Sequence, residues 1–319
     1  MRALVRREDA GLVSLDVEQH IGDLRVADAV SAACRGVDVV QHVAGLAGIW
    51  GPWRDYFDVN VRGTEHVVAG CRKHGVGRLV FTSSPSVTFD GTAQEGLDES
   101  APYPARWLCH YSHTKALAEQ HVLAAASREL RTCSLRPHLI WGLRDQHLVP
   151  RLLERARRGQ LRRIGDGANR IDMVHVENAA AAQLLAADAL VAKPEVSGRA
   201  YFITQDEPVN CWKWIDDLLA LAGLPPVQKS LSFKTASRLG AALEGIHLAF
   251  RLRREPRMTR FLAAQLGVSH FFDIRRAKAE LGYRPRVSTA DGMQQLKATF
   301  EAETRNGAAF DSAHPSGNV

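Results

Sequence analysis

Short apolar runs alternate with longer segments of helical periodicity through the first half of the chain. Continuous apolar runs bounded by polar turns are typical of strands that are buried on both faces of a parallel sheet. The segment 53–74 instead has helical spacing and ends at Gly75, the residue that most often closes a helix. This alternation predicts an α/β fold in which helices cover a parallel sheet. The predicted strands are residues 2–5, 18–23, 37–43, 78–84 and 132–137.

The pattern changes after about residue 145. A helix over residues 148–159 is followed by a turn-rich stretch, 164–170. A short strand over 171–175 and an alanine-rich helix over 177–190 come next. This change in character indicates that a second region of the protein begins here.

Three parts of the chain are therefore expected. Residues 1–145 would form the sheet domain, and residues 146–303 a smaller mixed α/β region, some of whose strands and helices return to that sheet. The tail, 304–319, is rich in Gly, Ser, Pro and Asn and is predicted to be disordered.

Apolar residues of the second region are assigned either to the core or to a surface helix. Trp212, Trp214 and Phe202 are predicted to be core residues, because large aromatic side chains dominate core burial. Residues 231–257 combine apolar positions at spacings of three and four with several arginines, which predicts an amphipathic helix. This helix could pack on the core, cover the hydrophobic end of a substrate, or rest on anionic lipid.

The charge balance argues against nucleic acid as a partner. The net charge is +6, from 41 Lys and Arg against 35 Asp and Glu. Nucleic-acid-binding surfaces cluster their basic residues among aromatic ones, whereas the arginines here are mostly scattered along the chain. A preference for anionic small ligands explains the balance more simply.

Several features indicate a cytoplasmic protein, with membrane association left open. Five cysteines without a Cys-x-x-Cys motif predict neither a disulfide framework nor a zinc site. Residues 1–9 lack the apolar segment of a signal peptide. No apolar run reaches the roughly 18 residues that a membrane-spanning helix needs.

The chemistry is centred on Tyr111 and Lys115. Residues four apart on a helix share one face, so the ammonium group can lie beside the phenol. A neighbouring cation favours the ionised phenol, whose reference pKa of about 10 is otherwise too high for proton exchange near neutrality. The alternative for this pair alone is an ordinary solvated helix face. The sequence order supports the chemical interpretation, because Ser83 and Ser84 end a predicted strand before the pair and Asn60 lies on the preceding helix.

This ordered set resembles the extended short-chain dehydrogenase/reductases, and within them the 3β-hydroxysteroid dehydrogenase-like family. The resemblance implies a Rossmann-like doubly wound parallel sheet. It also implies that Tyr111 is the general acid/base, that Lys115 lowers its pKa and holds the nicotinamide ribose, and that Asn60 supports a water relay. Ser84 would orient the substrate oxygen, with Ser83 as the alternative for that role.

Cofactor binding is implied by the same resemblance. An arginine after the second strand of a dinucleotide fold favours the 2′-phosphate of NADP, whereas an acidic residue favours NAD. The arginines after residues 2–5 therefore predict a preference for NADP(H) over NAD(H), unless they merely occupy a solvated loop. The aspartate at 23 would meet the adenine, although an N-capping role on the next helix is compatible. The implied cofactor contacts are Arg6, Arg7, Asp23, Leu24, Ala44, Lys115 and Pro137.

A glycine-rich turn after a first strand, on which the cofactor pyrophosphate would rest, is absent from the sequence. The chain is therefore expected to begin at the second strand of its relatives, with about 30 residues, one strand and one helix, missing before it. A mis-assigned start codon and a degenerate gene are both compatible with this expectation.

The resemblance implies an NAD(P)-dependent enzyme that interconverts a ketone and a secondary alcohol on a small hydrophobic substrate. Within the family, several segments are most similar to a bacterial subgroup that reduces 2-alkyl-3-oxoalkanoates in olefin biosynthesis. A 3β-hydroxysteroid or sterol-4-carboxylate 3-dehydrogenase is the alternative, and a non-catalytic binding protein is an alternative of another class. Homodimer formation is left open. The supporting segments are residues 85–91, 100–105, 135–142 and 258–261.

Overall fold

The main sheet has four parallel strands in the order β3–β4–β6–β11, and β1 pairs with β2 in a separate parallel ribbon. In the computed structural model of the protein, residues 1–305 are described, with side chains described as far as residue 302. The predicted disordered tail, 304–319, therefore lies almost entirely outside the described residues. The strands are β1 (Arg2–Val5), β2 (Glu18–Ile21), β3 (Val39–His42), β4 (Arg78–Thr82), β5 (Gln94–Leu97), β6 (Arg131–Pro137), β7 (Ile140–Trp141), β8 (Arg163–Ile164), β9 (Arg170–Ile171), β10 (Val174–His175), β11 (Arg199–Ile203), β12 (Val209–Asn210), β13 (Ser230–Leu231) and β14 (His270–Phe272).

Helices lie on both faces of this sheet. Leu79 and Phe81 of β4 pack with the helices of one face, whereas Val80, between them, packs with those of the other. Side chains alternate between the faces of a strand, so both faces of β4 are buried. The predicted doubly wound α/β fold is confirmed. The helices are α1 (Ala10–Ser14), α2 (Ala27–Ala33), α3 (Trp53–Tyr56), α4 (Gly63–His74), α5 (His110–Ala124), α6 (Leu148–Arg157), α7 (Val176–Ala192), α8 (Cys211–Leu221), α9 (Phe233–Ala249), α10 (Arg260–Gly267) and α11 (Thr289–Arg305).

The parallel strands are divided between two sheets. Within residues 1–305, β1 pairs only with β2, and β3 pairs only with β4. One edge of β1 and one edge of β3 therefore have no strand partner in the described part of the chain. The missing N-terminal strand and helix remain a prediction.

A second, smaller mixed sheet, β12–β9–β14–β5, lies in the region after residue 145 and includes one strand from before it. Trp212 and Trp214 are buried in the core of this region, and Phe202 is buried in the core under the main sheet. All three aromatic residues are therefore core residues, as predicted. The single strand expected over 171–175 is instead split into β9 and β10, with buried Asp172 between them.

The structure bears on three further expectations. Helix α9 is present within the segment predicted to be amphipathic, and the five cysteines are all unpaired and buried. Within residues 1–305, no helix has the length and apolar character needed to cross a membrane. The same residues contain no cluster of three or more His, Cys, Asp or Glu side chains placed to hold a metal ion.

Candidate active site

A cavity of about 500 Å³ opens where β3, β4 and β6 end. The carboxyl ends of strands in an open parallel sheet are the usual binding edge, because the loops that follow them converge there. Residues of α10 and β14 also line it. Four predicted site residues, Ser84, Tyr111, Lys115 and Pro137, line this cavity together.

Tyr111 lies in the first turn of α5, partly buried in this cavity. Burial raises the pKa of its phenol to about 12, and a hydrogen bond with Ser84 lowers it by a smaller amount. The sequence predicts the opposite direction, on the ground that Lys115 would favour the phenolate. In this structure Lys115 is not among the groups that shift the Tyr111 pKa, and the desolvation of the phenol decides the sign.

The Lys115 side chain extends to the end of β4. Its Nζ donates a hydrogen bond to the Thr82 carbonyl oxygen at 2.5 Å and lies 4.0 Å from the centre of the Phe81 ring. Burial lowers the pKa of the ammonium group to about 7, and the carboxylate of Glu119, one turn further along α5, opposes this shift. Lys115 is therefore a cation that is readily discharged near neutral pH.

The lowered Lys115 pKa makes stability depend on pH. Between pH 7 and the ordinary lysine value of 10.5 the unfolded chain holds a proton that the folded chain releases. The wild-type free energy of unfolding should therefore rise with pH over this window, relative to Lys115→Met, by on the order of a few kcal/mol. Denaturant unfolding of both proteins across this range measures the difference. Lys73→Met, at an exposed lysine of α4, is the control, and parallel curves for wild type and Lys115→Met would contradict the prediction.

Ser84 is held by a turn at the end of β4. It caps the short 3₁₀ helix Pro85–Thr88, accepting a hydrogen bond from the Ser86 amide at 3.2 Å, and its hydroxyl lies 2.9 Å from the Ser86 hydroxyl. Ser83 also lines the cavity, but its buried hydroxyl has no hydrogen-bond partner within residues 1–302. Ser84, and not Ser83, lowers the pKa of Tyr111, which favours Ser84 for the orienting role.

Asn60 lies beside the cavity, in a π-helical turn (Phe57–Arg62) between α3 and α4. Its side chain accepts a hydrogen bond from the Leu46 amide at 2.7 Å and donates to the Leu46 carbonyl and to Thr114 Oγ1, each at 3.1 Å. Asn60 therefore fixes the loop after β3 against α5. Its predicted part in a water relay remains a prediction.

The residues predicted to hold the adenosine end lie outside the cavity. Arg6 and Arg7 are exposed after β1. Asp23 pairs with Arg25, which holds the pKa of that carboxyl near 2, and Arg6 contributes to this shift. The N-capping expectation for Asp23 is wrong, because α2 begins four residues later with Val26 at its N-cap.

Two further predicted contacts also lie away from the cavity lining. The Leu24 side chain packs against α4 at Gly63, where an added Cβ would lie 2.9 Å from it, and the Leu24 carbonyl accepts from His66. Ala44 is exposed in the loop after β3. Ala44 would therefore contact a cofactor at the exposed surface of its loop, and Leu24 would contact it through backbone atoms.

The cavity residues fit the nicotinamide end of a dinucleotide. A side chain at Gly45 would lie 3.1 Å from Asn60 Oδ1 and 3.9 Å from Lys115 Nζ, so a glycine here keeps the loop open to a ligand above the lysine. The volume lies within the range of small-molecule sites. The residues do not fit the pyrophosphate of the dinucleotide in the same way, because the glycine-rich turn that would bind it is not in the sequence.

Sequence reasoning missed a buried ion pair beneath the site. Arg136 donates one hydrogen bond from Nε, shared between both oxygens of the Glu119 carboxylate, and one from Nη2. The carboxylate also accepts from Tyr103 and Ser134. The signal available was the spacing of Glu119, four residues after Lys115, and the position of Arg136 directly before Pro137. Sequence reasoning also missed the histidines of the cavity wall, because they are separated in the chain and are brought together only by folding.

Comparison with known proteins shows the family of the chain. Residues 6–234 match the model of the 3-beta hydroxysteroid dehydrogenase/isomerase family. The chain is 48% identical over 290 residues to the 2-alkyl-3-oxoalkanoate reductase of Stenotrophomonas maltophilia, covering 90% of this chain and 88% of that protein. It is 45% identical over 297 residues to the reductase of the same name from Shewanella oneidensis, covering 91% and 77%.

More distant relatives extend the same picture. A Schizosaccharomyces pombe sterol-4-alpha-carboxylate 3-dehydrogenase is 35% identical over 254 residues, covering 79% of this chain and 74% of that one. The crystal structure of a short-chain dehydrogenase/reductase from Agrobacterium tumefaciens with bound NAD shares the fold, with a TM-score of 0.70 at 22% identity, covering 96% and 90%. The chain belongs to the 3-beta hydroxysteroid dehydrogenase/isomerase family and is an NAD(P)-dependent oxidoreductase.

Proposed function

We propose that the protein interconverts a 2-alkyl-3-oxoalkanoate and its 3-hydroxy acid, with NADP(H) as the redox partner. The observation that carries this proposal is the meeting of Ser84, Tyr111 and Lys115 in one cavity. Two relatives that are nearly half identical to this chain bear the name of this reductase. The mostly apolar lining, which includes Ile49, Phe89 and Leu139, suits alkyl chains.

The side chains have distinct parts in the proposed reaction. A bound NADPH would supply the hydride for the carbonyl carbon. The Ser84 hydroxyl holds the carbonyl oxygen, and Tyr111 donates its proton to that oxygen as negative charge develops there. Because burial makes the free phenol a still weaker acid, the phenolate that remains needs a cation, and Lys115, which would also hold the nicotinamide ribose, would supply it once cofactor and substrate are bound. Apolar walls exclude water from the reacting carbon.

A substrate panel tests this proposal. NADPH is first titrated into the protein, since the proposal requires it to bind and a non-catalytic binding protein need not. The protein is then incubated with NADP⁺ and either a 2-alkyl-3-hydroxyalkanoate or a 3β-hydroxysteroid. The proposal expects NADPH to form with the hydroxy acid at a kcat/KM well above that for the steroid. A reversed preference would favour the sterol dehydrogenase alternative, which the 35% identical relative supports.

The preference for NADP(H) is supported by the arginines after β1. Replacing Arg6 and Arg7 together by Glu should raise the KM for NADP(H) roughly tenfold or more while sparing NAD(H), because a phosphate loses its charged hydrogen-bond donors. Steady-state kinetics with both cofactors measures the ratio. Arg128→Glu, at an exposed arginine elsewhere, is the control. An unchanged ratio in the double variant would contradict the assignment of these arginines to the 2′-phosphate.

We also propose that α9 and the turn after it rest on an anionic lipid surface of a cytoplasmic membrane. The described surface of this segment exposes a run of apolar side chains: Leu239, Ile246, Leu248, Phe250 and Leu252 are 43–73% exposed. Exposed apolar residues beside cations are typical of helices that lie in the membrane interface.

The charges of this segment support the same partner. Arg251, Arg253 and Arg254 are exposed and form no ion pair within residues 1–302. The two acidic residues of the segment are neutralised, because Glu244 pairs with Arg260 and Glu255 pairs with Arg151 and Arg155. The exposed charge of the segment is therefore positive.

The segment also contacts the loop that lines the cavity. Trp50, which follows the cavity residue Ile49, donates a hydrogen bond to the Leu252 carbonyl at 3.1 Å. The Trp50 ring packs edge-on against His247 of α9. A substrate with long alkyl chains could therefore pass from the bilayer to the cavity without crossing water.

Liposome sedimentation tests the membrane contact. Wild-type protein should sediment with vesicles that contain phosphatidylglycerol and much less with phosphatidylcholine alone. Replacing Leu248 and Phe250 by Ser should weaken sedimentation at least fivefold or so, because each exposed apolar residue adds to interfacial binding. Leu184→Ser with Val191→Ser, at equally exposed positions of α7, is the matched control. A dimer in solution without vesicle binding would instead assign the surface to a second copy of the chain.

A further inference from the structure

A chain of hydrogen bonds runs along the wall of the cavity through three buried titratable residues. Asp172 Oδ1 lies 2.6 Å from His138 Nδ1, and His138 Nε2 lies 3.1 Å from His270 Nδ1. The chain ends where His270 Nε2 lies 2.8 Å from the Gln265 carbonyl oxygen. All three residues are at most 5% exposed. The mechanism above does not use any of them.

The number of protons in this chain follows from its two ends. A carbonyl oxygen only accepts, so His270 Nε2 must carry a proton and donate it. Each of the other two contacts also needs one proton to be a hydrogen bond. A carboxylate with two neutral imidazoles has only two protons for these three contacts. The chain therefore holds one proton more, and its net charge is zero.

The extra proton belongs to His138. Burial, with the charge of His138 as a second cause, lowers the pKa of His270 to about 3, so His270 is neutral. Asp172 also accepts a hydrogen bond from the Phe272 amide at 2.8 Å on its other oxygen, so both carboxylate oxygens serve as acceptors. In this hydrogen-bond pattern His138 donates from both ring nitrogens, to Asp172 and to His270.

The ion pair turns its positive end to the cavity. His138 and His270 line the cavity, whereas Asp172 is fully buried behind them. Within the described residues, no Asp or Glu side chain lines the cavity, and its other basic groups are Lys115 and the exposed His147. Because a low-dielectric wall screens poorly, an anion in the cavity is attracted by the nearer, positive end of this neutral pair.

We propose that His138 is a specificity-determining residue, which selects substrates that carry a carboxylate next to the reacting carbon. This inference rests on the proposed function. Both nitrogens of His138 are engaged, so it acts through its charge. The unpaired Ser83 hydroxyl in the same cavity supplies a direct hydrogen bond to the carboxylate. Gln94 Oε1 is also unpaired there but only accepts, and it gives no bond to an anion.

A matched pair of substrates tests this assignment. The protein oxidises a 2-alkyl-3-hydroxyalkanoate and its methyl ester with NADP⁺, because hydroxy acids avoid the decarboxylation of 3-oxo acids. We expect wild type to prefer the acid roughly tenfold or more in kcat/KM. In His138→Gln most of this preference should be lost through a higher KM for the acid, while kcat/KM for the ester should change less than about threefold. His121→Gln, at the far end of α5, should leave kcat/KM for both substrates unchanged.

The outcomes separate this inference from the proposed function. Equal use of acid and ester by wild type would overturn the role of His138 while leaving the reductase assignment in place, and it needs no variant to fold. An equal loss for both substrates in His138→Gln would show a structural role only. Oxidation of neither substrate would overturn both proposals. Imidazole ¹⁵N spectra should show a histidine protonated at both ring nitrogens whose signal is lost in His138→Gln, and its absence in wild type would contradict the proton count.

Discussion

Tyr111→Phe is expected to lower kcat by about 100- to 10,000-fold, the range that a positioned general acid contributes. The substitution removes one oxygen and the proton that would reach the substrate, while the ring keeps its packing at the cavity wall. Affinity for NADPH should stay within about threefold, because Lys115 and the loop at Gly45 are unchanged. Single-turnover oxidation of a 2-alkyl-3-hydroxyalkanoate, with a separate NADPH titration, measures both quantities.

Tyr201→Phe is the matched control for this prediction. It also removes a phenol oxygen, but from a residue of β11 whose hydroxyl donates to Glu280 at 2.6 Å, outside the cavity. Glu280 keeps its ion pair with Arg199, so the control should fold and turn over normally. Turnover in Tyr111→Phe that matched this control would remove the tyrosine from the reaction.

Glu119→Gln is expected to destabilise the protein by about 3–5 kcal/mol, the usual effect of breaking a buried ion pair from one side. Glu119 is fully buried and Arg136 is 3% exposed, so the remaining guanidinium would lie uncompensated in the core. The substitution should also affect the active site. Because Glu119 opposes the lowering of the Lys115 pKa, its removal should discharge that lysine further.

Denaturant unfolding of Glu119→Gln measures the first effect, and the pH dependence of kcat measures the second. Glu129→Gln makes the same chemical change at an exposed position and should alter stability by no more than about 0.5 kcal/mol. A Glu119→Gln protein as stable as this control would show that the pair contributes nothing to the fold.

Local pattern was sufficient to predict the layout of the site. The spacing of Tyr111 and Lys115 follows from helix geometry, and the strand that ends at Ser84 is visible as an apolar run, so their meeting could be predicted. The start of helix α2 could not be predicted in this way. Asp23 looks like an N-cap residue, yet its carboxylate accepts hydrogen bonds from Arg25, two positions later. Local hydrogen bonding of this kind competes with capping and leaves little trace in the sequence.

Quantities set by tertiary burial could not be predicted in the same way. The direction of the Tyr111 pKa shift depends on how much of the phenol the fold removes from water, which no local pattern records. The hydrogen-bonded chain through His138 joins residues as far apart as His270, 132 positions along the sequence. Only the paths of β14 and of the loop after β6 bring them to one wall.

The central claim is that hydrogen moves between the substrate carbon next to the Tyr111 hydroxyl and the nicotinamide. A 2-alkyl-3-hydroxyalkanoate with deuterium on its hydroxyl-bearing carbon can be incubated with the wild-type protein and NADP⁺. The account predicts that the deuterium is recovered on the nicotinamide ring of NADPH, with a 3-oxo acid as the other product. NADP⁺ bound to the protein, with the label still on the hydroxy acid after prolonged incubation, would contradict it.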